Sequence, residues 1–248
     1  VKIVIKRVLL LLCILVMWEV CSWYTNRVFV PKPKVVFQNL WILINNGEIF
    51  IAIQYSFLRV TLAALLSALV AIPIALLIYN VKIVKDILNP IINIMRYLPV
   101  TAFYPLLIMW FGIDEMMKIA FLFLATFVYM MPSVILCLNE VNPDLIDTGI
   151  TIGMSKFQTV YKIQLPASLP SILNSFIMMY GIGFTYIAIA ETINAKHGLG
   201  WIIQQSSSRG RTDMVFMAII VIMMLSVLFD SASKKLVRTI FKWRYLGD

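Results

Sequence analysis

The chain has 248 residues, 61% of them hydrophobic and only 13% charged, with a formal net charge of +9 and a mean hydropathy of +0.91. Soluble domains carry about 25% charged residues. A water-soluble fold of this size could not hide such an apolar surplus, and the same numbers exclude disorder. A spanning helix needs about 20 apolar residues, so the sequence reads as an all-α membrane protein forming a single transmembrane domain over residues 1–248.

Six spans are expected in chain order, near 4–23, 52–79, 88–111, 116–138, 168–190 and 213–235. In the first, Lys2, Lys6 and Arg7 precede the apolar run Val8–Trp18, and Trp18-Glu19 ends that run. It has the outline of a signal peptide, but no small-x-small cleavage site follows, so it is read as a retained helix. Val1 fits an alternative start codon or a trimmed chain. Pro31-x-Pro33 then opens an amphipathic helix over 34–45, with Val35, Val36, Leu40, Leu43 and Ile44 as its apolar set.

The second span is charge-free over 60–81. The third carries Arg96, then Pro99 and Pro105, which free backbone carbonyls and suit a bent, cavity-lining helix. The fourth is uncharged over 119–139. The fifth carries Pro166 and Pro170 at its start and ends at Glu191. A short segment, 200–208, precedes the sixth span and a basic tail.

Cys13, Cys21 and Cys137 fall in or beside apolar runs, and His197 is the only histidine. The thiols are read as buried small hydrophobes, with no metal site and no catalytic set. The basic residues sit mainly between spans and do not interleave with stacking aromatics, so lipid headgroups and not nucleic acid are the expected contact.

With the N-terminus inside, the inner segments hold Lys2, Lys6, Arg7, Lys82, Lys85, Lys156, Lys162, Lys234, Lys235, Arg238, Lys242 and Arg244. The outer segments hold Arg27, Lys32, Lys34, Lys118, Lys196, Arg209 and Arg211. The excess of inner basic residues favours both termini in the cytoplasm.

The longest polar stretch between spans is 139–162, cytoplasmic in this orientation. Asn142 is a suitable N-cap and Pro143 a first-turn residue. Asp144 and Asp147 lie where the helix dipole favours acids. Gly153 suits a helix stop, and a second helix from Ser155 leads to Leu165-Pro166. A helix, a glycine bend and a second helix offer a knob to a cytoplasmic partner. Asp147 reads either as part of that contact or as a dipole-compensating acid.

Asp147-Thr148-Gly149-x-x-x-Gly153, then nine residues, then Ile163-x-Leu165-Pro166 resembles the coupling loop of ABC importer permeases. That loop usually reads Glu-Ala-Ala, three residues, Gly, nine residues, Ile-x-Leu-Pro. The glycine, isoleucine, leucine and proline match at that spacing; Asp147-Thr148-Gly149 departs from Glu-Ala-Ala but keeps an acid and a small third residue. Further likeness lies in Trp18-Glu19, Pro31-x-Pro33, Arg59-Val60, Arg96-x-x-Pro99, Pro105-Leu106, Trp110-Phe111-Gly112, Ala190-Glu191, Gly198-Leu199-Gly200 and Arg211-Thr212-Asp213. Together these are similar to permeases of the nitrate/sulfonate/taurine type.

The resemblance implies a type I ABC importer permease fold, with six transmembrane helices and a short cytoplasmic coupling helix in the loop 139–165. It implies a multi-pass subunit of the bacterial inner membrane that moves a small anionic or polar solute. Its partners would be ABC ATPase subunits, a second permease subunit in a homodimer, and an extracellular or periplasmic substrate-binding protein. The chain has no Gly-x-x-x-x-Gly-Lys-Ser/Thr loop, so ATP and Mg belong to the ATPase and no cofactor is expected on this chain.

Asp147, Thr148, Gly149, Gly153, Met154, Ser155, Ile163, Leu165 and Pro166 would then form the ATPase coupling site, with Leu165 and Pro166 setting the angle of the next span. Candidates for the pathway or gates are Arg96, Pro99, Phe103, Tyr104, Glu191, Trp201 and Gln204. Arg96 either lines the pathway or snorkels to the interface. Glu191 either pairs with Arg209 or Arg211, joins the outer gate, or is a solvated helix end. The aromatic candidates, with Trp110, Tyr129 and Tyr186, also fit interfacial anchors. The alternative is a channel or secondary carrier without an ATPase, which would need ion-coordinating groups inside the spans.

Overall fold

The computed structural model of the chain describes residues 2–26 and 28–245. Val1, Arg27 and the side chains of Lys2 and Arg7 lie outside the described residues. The helices are α1 (Lys2–Tyr24), α2 (Pro33–Asn45), α3 (Glu48–Asn80), α4 (Lys82–Met95), α5 (Tyr104–Phe111), α6 (Glu115–Asn139), α7 (Pro143–Thr151), α8 (Lys156–Thr159), α9 (Leu165–Ala190), α10 (Leu199–Ser208) and α11 (Thr212–Ile240). A 3₁₀ turn over Val100–Phe103 precedes α5, and a π turn over Val160–Gln164 joins α8 to α9.

Among the described residues, α3, α6, α11 and the continuous run Lys156–Ala190 are long and apolar enough to cross a membrane. The expected third span is broken: Lys82–Met95 and Val100–Phe111 are bent by 94°. The break falls at 96–99, where Pro99 cannot continue the donor ladder. Pro105 sits at the start of α5, where a missing N–H costs nothing, so it does not bend the chain as expected. The apolar part of α1, Val8–Tyr24, is a shorter helix.

The fifth span also differs from the expectation. It does not begin at Leu165-Pro166 but runs unbroken from Lys156 to Ala190. Pro166 and Pro170 each remove a helical donor, and the π turn just before them absorbs the mismatch.

The chain forms two compact units, one of Val1–Phe57 with Glu191–Met224, the other of Leu58–Ala190 with Leu225–Asp248. In the second, α6 packs along α9 and α4 packs against α6. Small residues make close approach possible: Ala63, Ala64, Ala71 and Ala75 of α3 are buried, and a Cβ on Gly183 of α9 would stand 2.9 Å from Val60 of α3. Hydroxyl pairs bridge the helices, Ser67 to Thr126 at 2.6 Å, Thr61 to Tyr180 at 2.7 Å and Ser133 to Ser175 at 2.9 Å. Cys137 is buried beside Ser175, whereas Cys13 and Cys21 are exposed on α1 and so are not the buried thiols expected.

In the first unit, Trp18 of α1 donates its indole N–H to the Pro31 carbonyl at 3.0 Å and stacks on Phe216. Pro33 starts α2 as its first-turn proline.

Candidate functional site

The loop after α6 is built from local signals that agree. The Asn142 side chain accepts the Asp144 N–H at 3.0 Å and so caps α7. Thr148 and Thr151 return their hydroxyls to the carbonyls of Asp144 and Asp147. At the other end Gly153 takes φ +80°. Its N–H donates to Ile150 O, and the Met154 N–H donates to Gly149 O. This pair of bonds is the Schellman stop, and it requires the left-handed residue that glycine supplies. Ser155 and Gln158 then exchange side-chain and backbone bonds in a capping box that starts the helical run into α9.

Gly149 is buried against that run: a Cβ there would stand 2.5 Å from Ile163 Cδ1 and 3.3 Å from Thr159 Cγ2. The Thr-Gly departure therefore has a packing reason, since α7 touches the start of the α9 run at this residue. Ile163 is half-buried in that contact, while Asp147, Thr148, Gly153 and Ser155 are exposed. Met154 and Leu165 are half-buried, and Pro166 is exposed on the unbroken helix. Two tethers fix the loop from below. Lys156 Nζ donates to Asn80 O, the last carbonyl of α3, at 2.8 Å. The buried Gln164 amide donates to Leu138 O, near the end of α6, at 2.7 Å. Both satisfy carbonyls that a helix end leaves without partners.

Beside Asp147 the loop exposes large apolar side chains, Leu145, Ile150, Ile152 (65% exposed) and Phe157 (63%). None of these four is among the coupling residues expected from the sequence. The available signal was that apolar positions inside a polar loop have no span to join.

Arg96 caps the C-terminus of α4 at the break and is exposed. Its Nε donates to Asn93 O at 3.2 Å. It lines a cleft of about 660 Å³ in the second unit, with Asn89, Asn93, Tyr97, Tyr129, Ser133, Asn139 and Met179 among its walls. Pro99, Phe103 and Tyr104 do not line that cleft. Tyr104 instead meets Phe121 edge-on at 5.1 Å, and Phe121 meets Tyr186.

The buried charges of the spans are elsewhere. Arg59 (4% exposed) makes a two-point pair with Glu115, Nε to Oε2 at 2.6 Å and Nη2 to Oε1 at 2.7 Å. Lys118, 1% exposed, stands 3.5 Å from the same carboxylate and donates to Ile113 O. Lys118 therefore does not belong with the loop charges where the sequence count put it. Nothing in the sequence links positions 59 and 115; the pairing is long-range.

Glu191 is neither a solvated helix end nor seated on Arg209 or Arg211. It is fully buried, accepts the Ser56 hydroxyl at 2.9 and 3.0 Å and accepts the Gly200 N–H at 2.8 Å. Ser56 Oγ in turn accepts the Leu199 N–H at 2.8 Å. The first two N–H groups of α10 are thus capped from other segments, and the carboxylate meets the positive end of the helix. Arg211 pairs with Asp213 at 3.1 Å, and Asp213 accepts from Asn39 at 2.6 Å. Trp201 lines a cavity of about 620 Å³ in the first unit with Glu48, His197, Gln205 and Arg209. Gln204 is exposed and not part of that lining.

The model of the family described as binding-protein-dependent transport system inner membrane component matches residues 63–242. The chain belongs to this family. It is 29% identical over 234 residues to the taurine transport system permease protein TauC of Escherichia coli (strain K12), covering 92% of this chain and 85% of that one. It is 30% identical over 241 residues to a chain of Bacillus subtilis (strain 168) described as an aliphatic sulfonates transport permease, covering 96% and 87%. Among solved structures, the MetNI methionine ABC transporter in an inward-facing conformation matches at a TM-score of 0.68 and 20% identity, over 81% of this chain and 96% of that one. An amino acid ABC transporter matches at 0.64 and 18%, over 83% and 97%. The all-helical fold is thus that of ABC importer permeases.

The permease is therefore the transmembrane subunit of an ATP-driven importer and a multi-pass protein of the inner membrane. ATP hydrolysis belongs to a separate subunit. Permeases of this family work with ATPase subunits, a substrate-binding protein and a paired permease.

Proposed function

We propose that the permease imports a small organic anion of the sulfonate kind, as a homodimer with both termini in the cytoplasm. Segment 139–165 docks on the ATPase, where ATP and Mg are bound. The names of the taurine and aliphatic-sulfonate relatives support the solute class, and the distribution of Lys and Arg supports the orientation.

The observation that carries the coupling reading is the construction of 142–164. A capped helix ends in a glycine stop, presents exposed apolar side chains, and is tethered to the ends of α3 and α6 through Lys156 and Gln164. Such a segment is stiff and has a face to offer. ATP-driven closure of the ATPase pair would displace α7, and the attached helices would rock between inward-open and outward-open states.

The reading is tested in proteoliposomes holding the permease with its ATPase. Uptake of a radiolabelled sulfonate should require both ATP and the binding protein; uptake by the permease alone would support a channel or carrier. Co-purification of the ATPase should be lost on Gly153→Asp and on deletion of 147–155. Retention in both would remove the docking assignment.

A further inference from the structure

The cleft beside the break in the third hydrophobic segment has a chemistry of its own. Asn89, Asn93 and Arg96 lie at i, i+4 and i+7, on one face of α4. Tyr129, Ser133 and Asn139 of α6 contribute to the same walls. The lining holds one cation and no carboxylate. Among the described residues no acid lies within ion-pair distance of Arg96, and the guanidinium commits its Nε to Asn93 O.

Guanidinium is charged at every physiological pH and presents a planar fork of donors suited to two oxygens at once. The asparagine amides add donors that reorient to a ligand, while the Ser133 hydroxyl already donates to Ser175. A cationic solute finds repulsion there and no counter-charge, and a neutral one gains no Coulomb attraction. A cleft of several hundred Å³ fits a small organic ion.

We propose that this cleft binds a small oxyanion, with Arg96 as its anchoring cation and Asn89 and Asn93 as flanking donors. The site makes the membrane subunit itself selective for anions, in addition to any selectivity of the binding protein. The proposal rests on the importer reading only for its transport arm.

The test uses the full chain with Cys13, Cys21 and Cys137 replaced by Ser and Asn93→Cys as a reporter in the cleft. Its rates of modification by an anionic (sulfonatoethyl) and a cationic (trimethylammonioethyl) methanethiosulfonate are compared. Removing one charge a few ångströms away lowers local anion and raises local cation concentration, so Arg96→Gln should lower the anionic-to-cationic rate ratio about tenfold. Arg96→Lys should keep it. Asn89→Asp, which adds an acid to the walls with Arg96 in place, should lower it as well. A ratio unchanged in both Arg96→Gln and Asn89→Asp overturns the proposal.

In the transport arm, the permease assembled with its ATPase and binding protein should lose most uptake of a sulfonate probe on Arg96→Gln and recover only part of it on Arg96→Lys, which restores the charge but not the fork. Wild-type uptake without need of ATP would sink the importer reading while the thiol ratio still decides the cleft. ATP-driven uptake with an unchanged ratio would sink the cleft alone.

Discussion

Glu191 offers the sharpest test of how the α10 segment is held. The Ser56 hydroxyl and the Gly200 N–H both converge on its carboxylate, and the side chain is fully buried. Hydrogen bonds to charged groups contribute about 1.5–3 kcal/mol each, so Glu191→Ala should cost about 3–6 kcal/mol, enough to detach α10 or unfold the first unit. Glu191→Gln keeps the shape. Its carbonyl oxygen can accept from Gly200 and its amide can donate to Ser56, leaving mainly the lost charge at the helix N-terminus, about 1–2 kcal/mol. The assay is thermal unfolding in lipid nanodiscs, with amide exchange measured at 199–202. Alanine should lower the midpoint more than glutamine and release protection at Leu199 and Gly200 first. Equal effects of the two substitutions, or unchanged exchange in Glu191→Ala, would refute the capping argument.

Gly198 has φ +139°, and a Cβ there would overlap the Glu191 carboxylate, so Gly198→Ala should destabilise by about 2–4 kcal/mol in the same unfolding assay. Glu115→Ala takes the carboxylate from two buried cations, whereas Arg59→Met removes a buried charge with the pair. Because Glu115 is 56% exposed, solvent screens part of the loss. The former should cost about 1–3 kcal/mol and the latter within about 1 kcal/mol, read from the same melts. Ile152→Glu and Phe157→Glu place charge on side chains that are 65% and 63% exposed. They should leave the unfolding free energy within about 0.5 kcal/mol of wild type and weaken ATPase co-purification at least tenfold.

What the sequence disclosed depends on how local the signal is. The caps at Asn142, Gly153 and Ser155 lie within a few residues of their partners, so composition and spacing located them. The apolar runs disclosed most helices for the same reason. The break at Pro99 was visible as a bend but not as a 94° turn, because a proline states where a helix weakens and not where the chain goes next. The unbroken passage through Pro166 was missed because the compensating π turn carries no sequence mark. Long-range pairings escaped altogether: Arg59 with Glu115 is 56 residues apart and Ser56 with Glu191 is 135. Glu191 looked like a solvated end because a lone acid after an apolar run usually is one, and only the returning α10 buries it.

On the proposed coupling reading, the lever must be stiffer than the joints around it, and the second unit is built that way. The run Lys156–Ala190 is one helix of 35 residues, roughly 50 Å at 1.5 Å per residue. Its prolines fall near the loop end, where they would be expected to introduce a hinge. The π turn, the Gln164 bond to the end of α6 and the Ile163 contact with Gly149 all fall within the same few residues. A hinge there would let α7 swing without moving the spans. With α3 held through Lys156, α6 through Gln164 and α9 by continuity, a displacement of α7 is delivered to three helices together. The break at 96–99, beside the Arg96 cleft, interrupts the helical ladder, so α4 and α5 can change angle there without breaking one. A solute site placed at that joint feels the lever's position, which is the physical requirement for coupling ATP binding to solute release.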